Sequence, residues 1–252
     1  IFNFYLMIEI LILSFVQGIT EFLPISSSSH LILTNEFLNF KHSNLAIDVS
    51  MHIGSFFAVI TYFYKDIFNF IKNKELFLKV FIASVPVMII GFFLAETKLI
   101  ESLRSMKVIG WTTLIFGILL FLSDNFKLDK KIDTDFSYKS AIIIGIYQIF
   151  SLIPGVSGSG ITITAARFLS FDRFDSAKIA FLLSIPTLGA VSIYGIKNLA
   201  ISEDFNFSIL NIICILFSFL FSLITIKFFL KYIKRFSLKI FVIYRIILGV
   251  IV

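Results

Sequence analysis

In 252 residues the chain has one cysteine, one tryptophan, four prolines and three histidines, and only 15% of it is charged. A lone Cys214 within an apolar run excludes an internal disulfide and a cysteine-built metal centre. So little charge is unlike a soluble domain, in which about a quarter of the residues are charged. The net charge of +6 is small and spread over connecting segments, which argues for contact with anionic lipid headgroups and against nucleic acid. What the chain does have is apolar surface: 58% of its residues are hydrophobic and the mean hydropathy is +0.97. It reads as a polytopic membrane protein. No cleavable signal peptide is expected, because the first apolar segment runs into polar residues without a small-residue cleavage site. The chain opens on Ile1 rather than methionine, so residues ahead of it are expected.

A full membrane span needs about 20 apolar residues. Segments 45–64, 76–96, 106–123, 176–196 and 208–231 reach or approach that length, and 238–252 is a shorter sixth. Segments 4–37 and 140–173 do not fit. Each is apolar, breaks at a proline beside serines and turns apolar again, so each reads as a re-entrant hairpin with arms too short to span alone. Lysine and arginine orient the set. Segments 65–79, 124–139 and 227–239 carry four, four and five of them, against one each in 38–44 and 197–207 and three in 97–107. Arg167, Arg173 and Lys178 fall on the richer side. The positive-inside rule puts that side in the cytoplasm, so the first hairpin opens outward and the second to the cytoplasm.

The four prolines form two pairs. "QGITEFLPISSS" (17–28) matches "QIFSLIPGVSGS" (148–159), and "KVFIASVP" (79–86) matches "KIAFLLSIP" (178–186). A degenerate internal repeat follows, roughly 1–123 and 139–252 within one membrane domain. The expected fold is all-α, a helix bundle with two inverted re-entrant hairpins meeting near the midplane, as inverted repeats build intramembrane sites. The plainer alternative has proline and serine kinking ordinary helices.

Polar residues inside these apolar segments are the candidates for chemistry. Gln17 and Glu21 share a helical face, and an intramembrane acid is costly unless paired or hydrated, so such a residue is functional by default. After Pro24 come Ser26, Ser27, Ser28, Ser29 and His30. Ser27 and His30 stand three apart, so either could attack phosphorus while the other handles a proton; alternatively the serines cap a helix and His30 is interfacial. "IDVSMHIGS" sets Asp48, His52 and Ser55 on one stripe, a metal or proton-relay face, or else an interfacial acid and a packed histidine. His42, beside Lys41, reads as surface. In "PGVSGSGIT", glycines relax the backbone, Ser157, Ser159 and Thr162 offer hydroxyls, and the helix that follows presents N–H groups to an anion. Gly158 and Gly160 belong to the same turn, which opposite a buried Glu and His becomes half of a phosphate site.

These motifs, in order and over nearly the whole chain, resemble the undecaprenyl-diphosphatase family, the bacitracin-resistance type of integral membrane phosphatase. The resemblance rests on Gln17, Glu21, "EFLPISSSSH", "IDVSMHIGS", the "SVP" and "SIP" spans and the motif from Pro154. It implies removal of the terminal phosphate from undecaprenyl diphosphate, the lipid carrier of peptidoglycan precursors, in a bacterial cell membrane with the site open to the outer face. It further implies Glu21 as metal ligand or base, with Gln17 beside it, and Ser27 or His30 as nucleophile or proton partner. The second motif would hold the diphosphate. A divalent cation, Mg²⁺ or Ca²⁺, suits such oxygen ligands. The implied partners are the lipid and the membrane, with a homodimer left open. An acid-phosphatase-type lipid phosphatase has no support, since its lysine- and arginine-bearing signature is missing. One departure stands out. The family's second motif reads Pro-Gly-x-Ser-Arg-Ser, and here Gly158 holds the arginine position. Arg167 lies about 12 Å further along a helix, at 1.5 Å per residue, too far to substitute. Ser29, where the family has glycine, is a milder change. The alternative function is therefore an impaired relative that binds or translocates a polyprenyl phosphate.

Overall fold

The computed structural model describes residues 4–40, 45–72, 74–97, 99–126, 129–201 and 209–252. His42 and Lys41 lie outside them. Helices dominate, and among the described residues no strand forms beyond one isolated bridge between Lys130 and Phe171. The order is α1 (Phe4–Thr20), α2 (Ser27–Leu38), α3 (Leu45–Tyr62), α4 (Tyr64–Lys72), α5 (Lys74–Glu96), α6 (Leu99–Ser102) and α7 (Met106–Asp124). Then follow α8 (Ile132–Asp135), α9 (Tyr138–Gln148), a 3₁₀ turn (Ile149–Leu152), α10 (Gly158–Phe168), α11 (Arg173–Ile201), α12 (Ile209–Ile233) and α13 (Lys239–Ile251). Helices α3, α5, α7, α11 and α12 are long and apolar enough to cross a membrane. They match five of the expected spans; the sixth, α13, is short, as its sequence suggested.

The bundle carries large apolar side chains on its outside and buries many serines and threonines within an apolar core. Ile193, Trp111, Phe93 and Ile251 are more than 60% exposed, a surface suited to lipid rather than water. Buried serines and glycines let the helices approach closely. Gly54 of α3 faces the backbone of Ile215 and Phe219 on α12, where a Cβ would come within 2.4 Å of Ile215 O. Ser55 Oγ bonds Ser218 Oγ and Ser222 Oγ at 3.2 and 3.0 Å, and Ser218 Oγ donates to Met51 O at 2.7 Å. Ser55 therefore joins α3 to α12 and is not part of a polar stripe at the site.

Paired residues give the directions of the helices. On α3 and α12 the pairs Ser50–Asn211 and Ser55–Ser222 advance together, so these helices are parallel. Along α7 and α13, Asp124 meets Leu238, Gly117 meets Arg245 and Gly110 meets Gly249, so these run antiparallel. Followed through the chain, the ends of α2, α5 and α11 share one face with the C-terminal end of α13. The ends of α7, α10 and α12 share the other. The α1–α2 pair opens to the first face and the α9–α10 pair to the second.

That second face is stitched by charge. The Asp124 carboxylate accepts from Arg173 Nη2 at 3.1 Å and from Leu238 N at 2.9 Å. Arg167, at the end of α10, donates to Phe171 O and Phe126 O at 2.9 and 2.6 Å. It is committed there and does not approach the turn that opens α10, as helix length alone required.

Candidate active site

Each short-armed pair turns at a proline. In the first tip Glu21 N still bonds Gln17 O at 3.0 Å, so Glu21 stays one helical turn beyond Gln17. Ser26 takes φ 74° immediately before α2 begins. In the second tip Gly155 has φ 93° and Ser157 φ 73°, and Ser157 Oγ accepts from Gly160 N at 3.1 Å as the cap of α10. Positive φ is strained for a residue with a Cβ. Both tips accept that strain in a serine set just ahead of a helix N-terminus.

The tips touch. Gly155 N donates to Ser26 Oγ at 3.3 Å, and Ser159 Oγ donates to Leu23 O at 2.8 Å. Arg245 of α13 lies behind both, fully buried. Its Nη1 donates to Pro24 O and Val156 O at 3.1 and 3.0 Å, its Nη2 to Gly155 O at 2.8 Å and its Nε to Thr113 O at 3.3 Å. No carboxylate pairs with it among the described residues. Arg245 thus occupies the tip carbonyls, while Ser27 and Ser28 of α2 and Gly158 and Ser159 of α10, whose N–H groups have no partner within their helices, line the cavity between the tips.

That cavity measures about 210 Å³. Glu21, Ser26 and Ser27 line it from the first tip, and Ser157, Gly158 and Ser159 from the second. His52 of α3 completes a connected set. Ser27 Oγ donates to Glu21 Oε2 at 2.6 Å, and Gln17 Nε2 donates to the same oxygen at 2.9 Å. Gln17 Nε2 also stands 3.1 Å from His52 Nδ1. If it donates there, the imidazole carries its proton on Nε2. Gln17 is itself fully buried and does not line the cavity; it holds Glu21 and His52 in place.

Other expected members sit elsewhere. His30 bonds Ser26 O through Nδ1 and Tyr244 Oη through Nε2, both at 2.6 Å, and stacks on the Tyr244 ring. It does not line the cavity, and Ser27 pairs with Glu21 instead. The i, i+3 spacing was right for a shared helix; α2 begins at Ser27, and only its first residues face the cavity. Thr162 Oγ1 bonds back to Gly158 O at 2.8 Å within α10. Gly160 gives close packing: a Cβ there would lie 3.0 Å from Arg245 Nη1 and from Ser157 Cβ. Asp48 stands one turn before His52, outside the lining.

Sequence reasoning missed several contributors. Gln148 lines the cavity, and its buried Oε1 has no hydrogen-bond partner. Its counterpart in the repeat is Gln17, whose Oε1 is likewise buried and unpaired. The repeat itself was the signal that could have found Gln148. Ser184 and Thr187, flanking Pro186, also line the cavity. The carboxylate, the free amide oxygen and the hydroxyls make an all-oxygen donor set, which fits a hard divalent cation. Three or more His, Cys, Asp or Glu do not gather anywhere among the described residues, which argues against a soft-metal centre.

The family described as bacitracin resistance protein BacA matches residues 10–251. The chain belongs to that family. It is 50% identical to the undecaprenyl-diphosphatase of Pelagibacter ubique (strain HTCC1062), over 97% of its own length and 95% of the relative's. It is 42% identical to that of Jannaschia sp. (strain CCS1), with 95% of each covered, and 40% identical to that of Saccharophagus degradans (strain 2-40 / ATCC 43961 / DSM 17024), with 94% and 93% covered.

For a BacA-family chain, Gly158 is the position of most consequence. Among the described residues no lysine or arginine lines the cavity. A Cβ at Gly158 would meet only Ser151 Cβ, at 3.7 Å, an ordinary contact, so the backbone there accepts a branch point without a clash. Gly158→Arg is therefore expected to fold and to lower KM for a polyprenyl diphosphate about tenfold, the worth of one charge-assisted hydrogen bond. Steady-state phosphate release at graded substrate and Mg²⁺ checks this, and a KM equal to or above that of the parent protein contradicts it.

Proposed function

We propose that this chain hydrolyses undecaprenyl diphosphate to undecaprenyl phosphate and inorganic phosphate, recycling the carrier lipid of cell-wall synthesis and thereby conferring bacitracin resistance. The observation that carries this reading is the 2.6 Å bond from Ser27 Oγ to Glu21 Oε2, in a cavity framed by two helix N-termini. An activated hydroxyl beside an anion cradle is the pairing that phosphoryl transfer needs. The curated relatives carry the corresponding enzyme name.

In this reading Ser27 Oγ attacks the terminal phosphorus as its proton passes to Glu21. The bond from that phosphorus to the bridging oxygen breaks, and the bridging oxygen leaves with undecaprenyl phosphate. His52 lines the same cavity, and in the tautomer that keeps its proton on Nε2 it has a donor available for the departing oxygen. Glu21 first loses the Ser27 proton to solvent. It then takes a proton from a water attacking the seryl phosphate. The bond from phosphorus to Ser27 Oγ breaks, and Glu21 returns the proton to Ser27 Oγ as inorganic phosphate leaves. The first-turn N–H groups of α2 and α10 stabilise charge on the transferred group. Glu21 and Gln148 Oε1 are the residues that would hold Mg²⁺ or Ca²⁺, together with diphosphate oxygens. The bound ion supplies the positive charge that Gly158 does not. Nothing at the site favours an impaired binder, since acid, hydroxyl and N–H donors converge.

The two tips act as the halves of an inverted repeat, roughly 1–123 and 139–252, dipping into the membrane from opposite faces. The lysine-rich face is cytoplasmic and the site opens to the outer side of the bacterial cell membrane. Arg104→Cys, on the opposite face, is expected to label from outside only; labelling from the cytoplasm alone reverses the orientation. The activity is tested on purified protein in detergent with undecaprenyl diphosphate. Phosphate release that requires a divalent cation and stops on chelation is expected, and no release at any Mg²⁺ or Ca²⁺ concentration overturns the reading.

A further inference from the structure

The sequence repeat contains a second matched pair that the phosphate chemistry leaves unused, the prolines of "SVP" and "SIP". Both lie inside helices, Pro86 in α5 and Pro186 in α11. Each lacks the N–H that would bond the carbonyl four residues back, which loosens its helix at that level. Hydroxyls beside the prolines bond back into the preceding turn: Ser84 Oγ donates to Val80 O at 2.9 Å, and Thr187 Oγ1 to Leu183 O at 3.0 Å. Immediately beyond the two prolines, α5 and α11 enclose a groove of about 410 Å³. On α5 it runs from Val87 to Ala95, about 12 Å at 1.5 Å per residue.

Three features identify what fits there. The groove is continuous with the phosphate cavity, because Val87, Thr187 and Val191 line both. Its wall is otherwise apolar, including Met88, Phe92 and Ala190, and the hydroxyl of Tyr194 is engaged by Glu96 at 3.1 Å. It opens sideways rather than into the bundle, since Phe92 and Val191 are nearly half exposed on the lipid-facing surface. A second apolar groove of about 450 Å³, between α1 and α12, shares no lining residue with the phosphate cavity.

We propose that the groove between α5 and α11 binds the head-proximal isoprene units of the substrate, and that the rest of the chain leaves through it into the lipid. This rests on the diphosphatase reading for the identity of the head group. An unbranched acyl chain and a polyprenyl chain share the apolar chemistry, but only a diphosphate-headed lipid places its first units against Val87 and Val191. Continuity between the polar and apolar spaces makes one extended site of two motif pairs: the tip pair grips the diphosphate and the proline pair parts two helices for the tail.

The test uses the full-length protein in detergent and a farnesyl diphosphate analogue with a diazirine on its second prenyl unit. Photolysis followed by peptide mass spectrometry is expected to place the label within 87–95 and 187–194. Labelling concentrated on the α1–α12 groove, at Phe15, Phe221 or Phe228, overturns the proposal, as does labelling with no preferred segment. Ala190→Phe and, at the far end, Ala95→Phe are each expected to cut labelling and raise KM for farnesyl diphosphate about tenfold, the scale of a blocked apolar pocket. Unchanged labelling and KM in both variants contradicts it. Hydrolysis without labelling in the groove defeats the tail site and spares the diphosphatase reading. Labelling in the groove without hydrolysis does the reverse.

Discussion

Glu21→Gln is expected to reduce kcat about a thousandfold, within the range that a positioned acid–base group contributes, while the protein still purifies as a folded monodisperse species. The amide is nearly isosteric, so the neighbours need not move. What is lost is specific. Glu21 Oε2 accepts both Ser27 Oγ–H and Gln17 Nε2–H, and a glutamine cannot take the serine proton at all. If its nitrogen faced Ser27 it would also meet the Gln17 amide donor, so the favoured rotamer presents a neutral oxygen that holds the hydroxyl without activating it. Affinity for a divalent cation falls as well, because the only carboxylate lining the cavity among the described residues is gone. Metal dependence separates the two losses. A pure base defect leaves the Mg²⁺ concentration for half-maximal rate unchanged, whereas loss of a ligand raises it. Activity within tenfold of the parent protein at saturating Mg²⁺ would rule Glu21 out as the proton acceptor.

The layout of the chain was readable because membrane spans obey a length rule. Five long helices and the breaks at Pro24 and Pro154 fall where hydropathy and proline set them. The cavity was readable where polar residues interrupt apolar runs, as Glu21, Ser27, Ser157 and Ser159 do. Spacing then misled in a consistent way. It assigns a residue to a helix face but not to the neighbour that face meets. Ser55 shares a face with His52 yet is engaged by Ser218 and Ser222 of α12. His30 is one turn beyond Ser27 yet reaches Tyr244 of α13, more than two hundred residues away in sequence. Gly158 was read as a lost cation. The structure adds that the position lines the cavity and that a Cβ there would meet Ser151 Cβ at an ordinary 3.7 Å, which only packing could reveal. Arg245 went unread because its partners are backbone carbonyls, which leave no mark on a sequence. The signal was nevertheless present: a single arginine inside "FVIYRIILGVIV" merits the same suspicion as an intramembrane glutamate.

Arg245→Met is expected to be the most destabilising single change at the site, and Arg245→Lys is expected to divide its effect into two parts. The methionine removes every donor from Pro24 O, Gly155 O, Val156 O and Thr113 O in a place that water does not reach. Leaving buried carbonyls unpaired costs about 1–3 kcal/mol each, and even partial relaxation leaves a deficit of several kcal/mol. The apparent midpoint of thermal unfolding in detergent should fall accordingly. The tips hold positive-φ serines whose strain persists only while the surroundings fix them, so loosening these carbonyls also lets the α2 and α10 N-termini part. A second loss is electrostatic. Arg245 has no counter-carboxylate among the described residues, and its charge lies behind the tip backbone of a cavity that no arginine or lysine among those residues lines. At low local dielectric such a charge attracts a diphosphate without touching it. Lysine keeps the charge but has a single nitrogen, which cannot reach four carbonyls in the guanidinium's fixed fork. The lysine variant is therefore expected to recover most of the KM for undecaprenyl diphosphate while keeping the lowered midpoint, and the methionine variant to lose both. Equal KM values for the two variants would mean that Arg245 acts through geometry alone; an unchanged midpoint in the methionine variant would mean that the four carbonyl bonds do not hold the tips together.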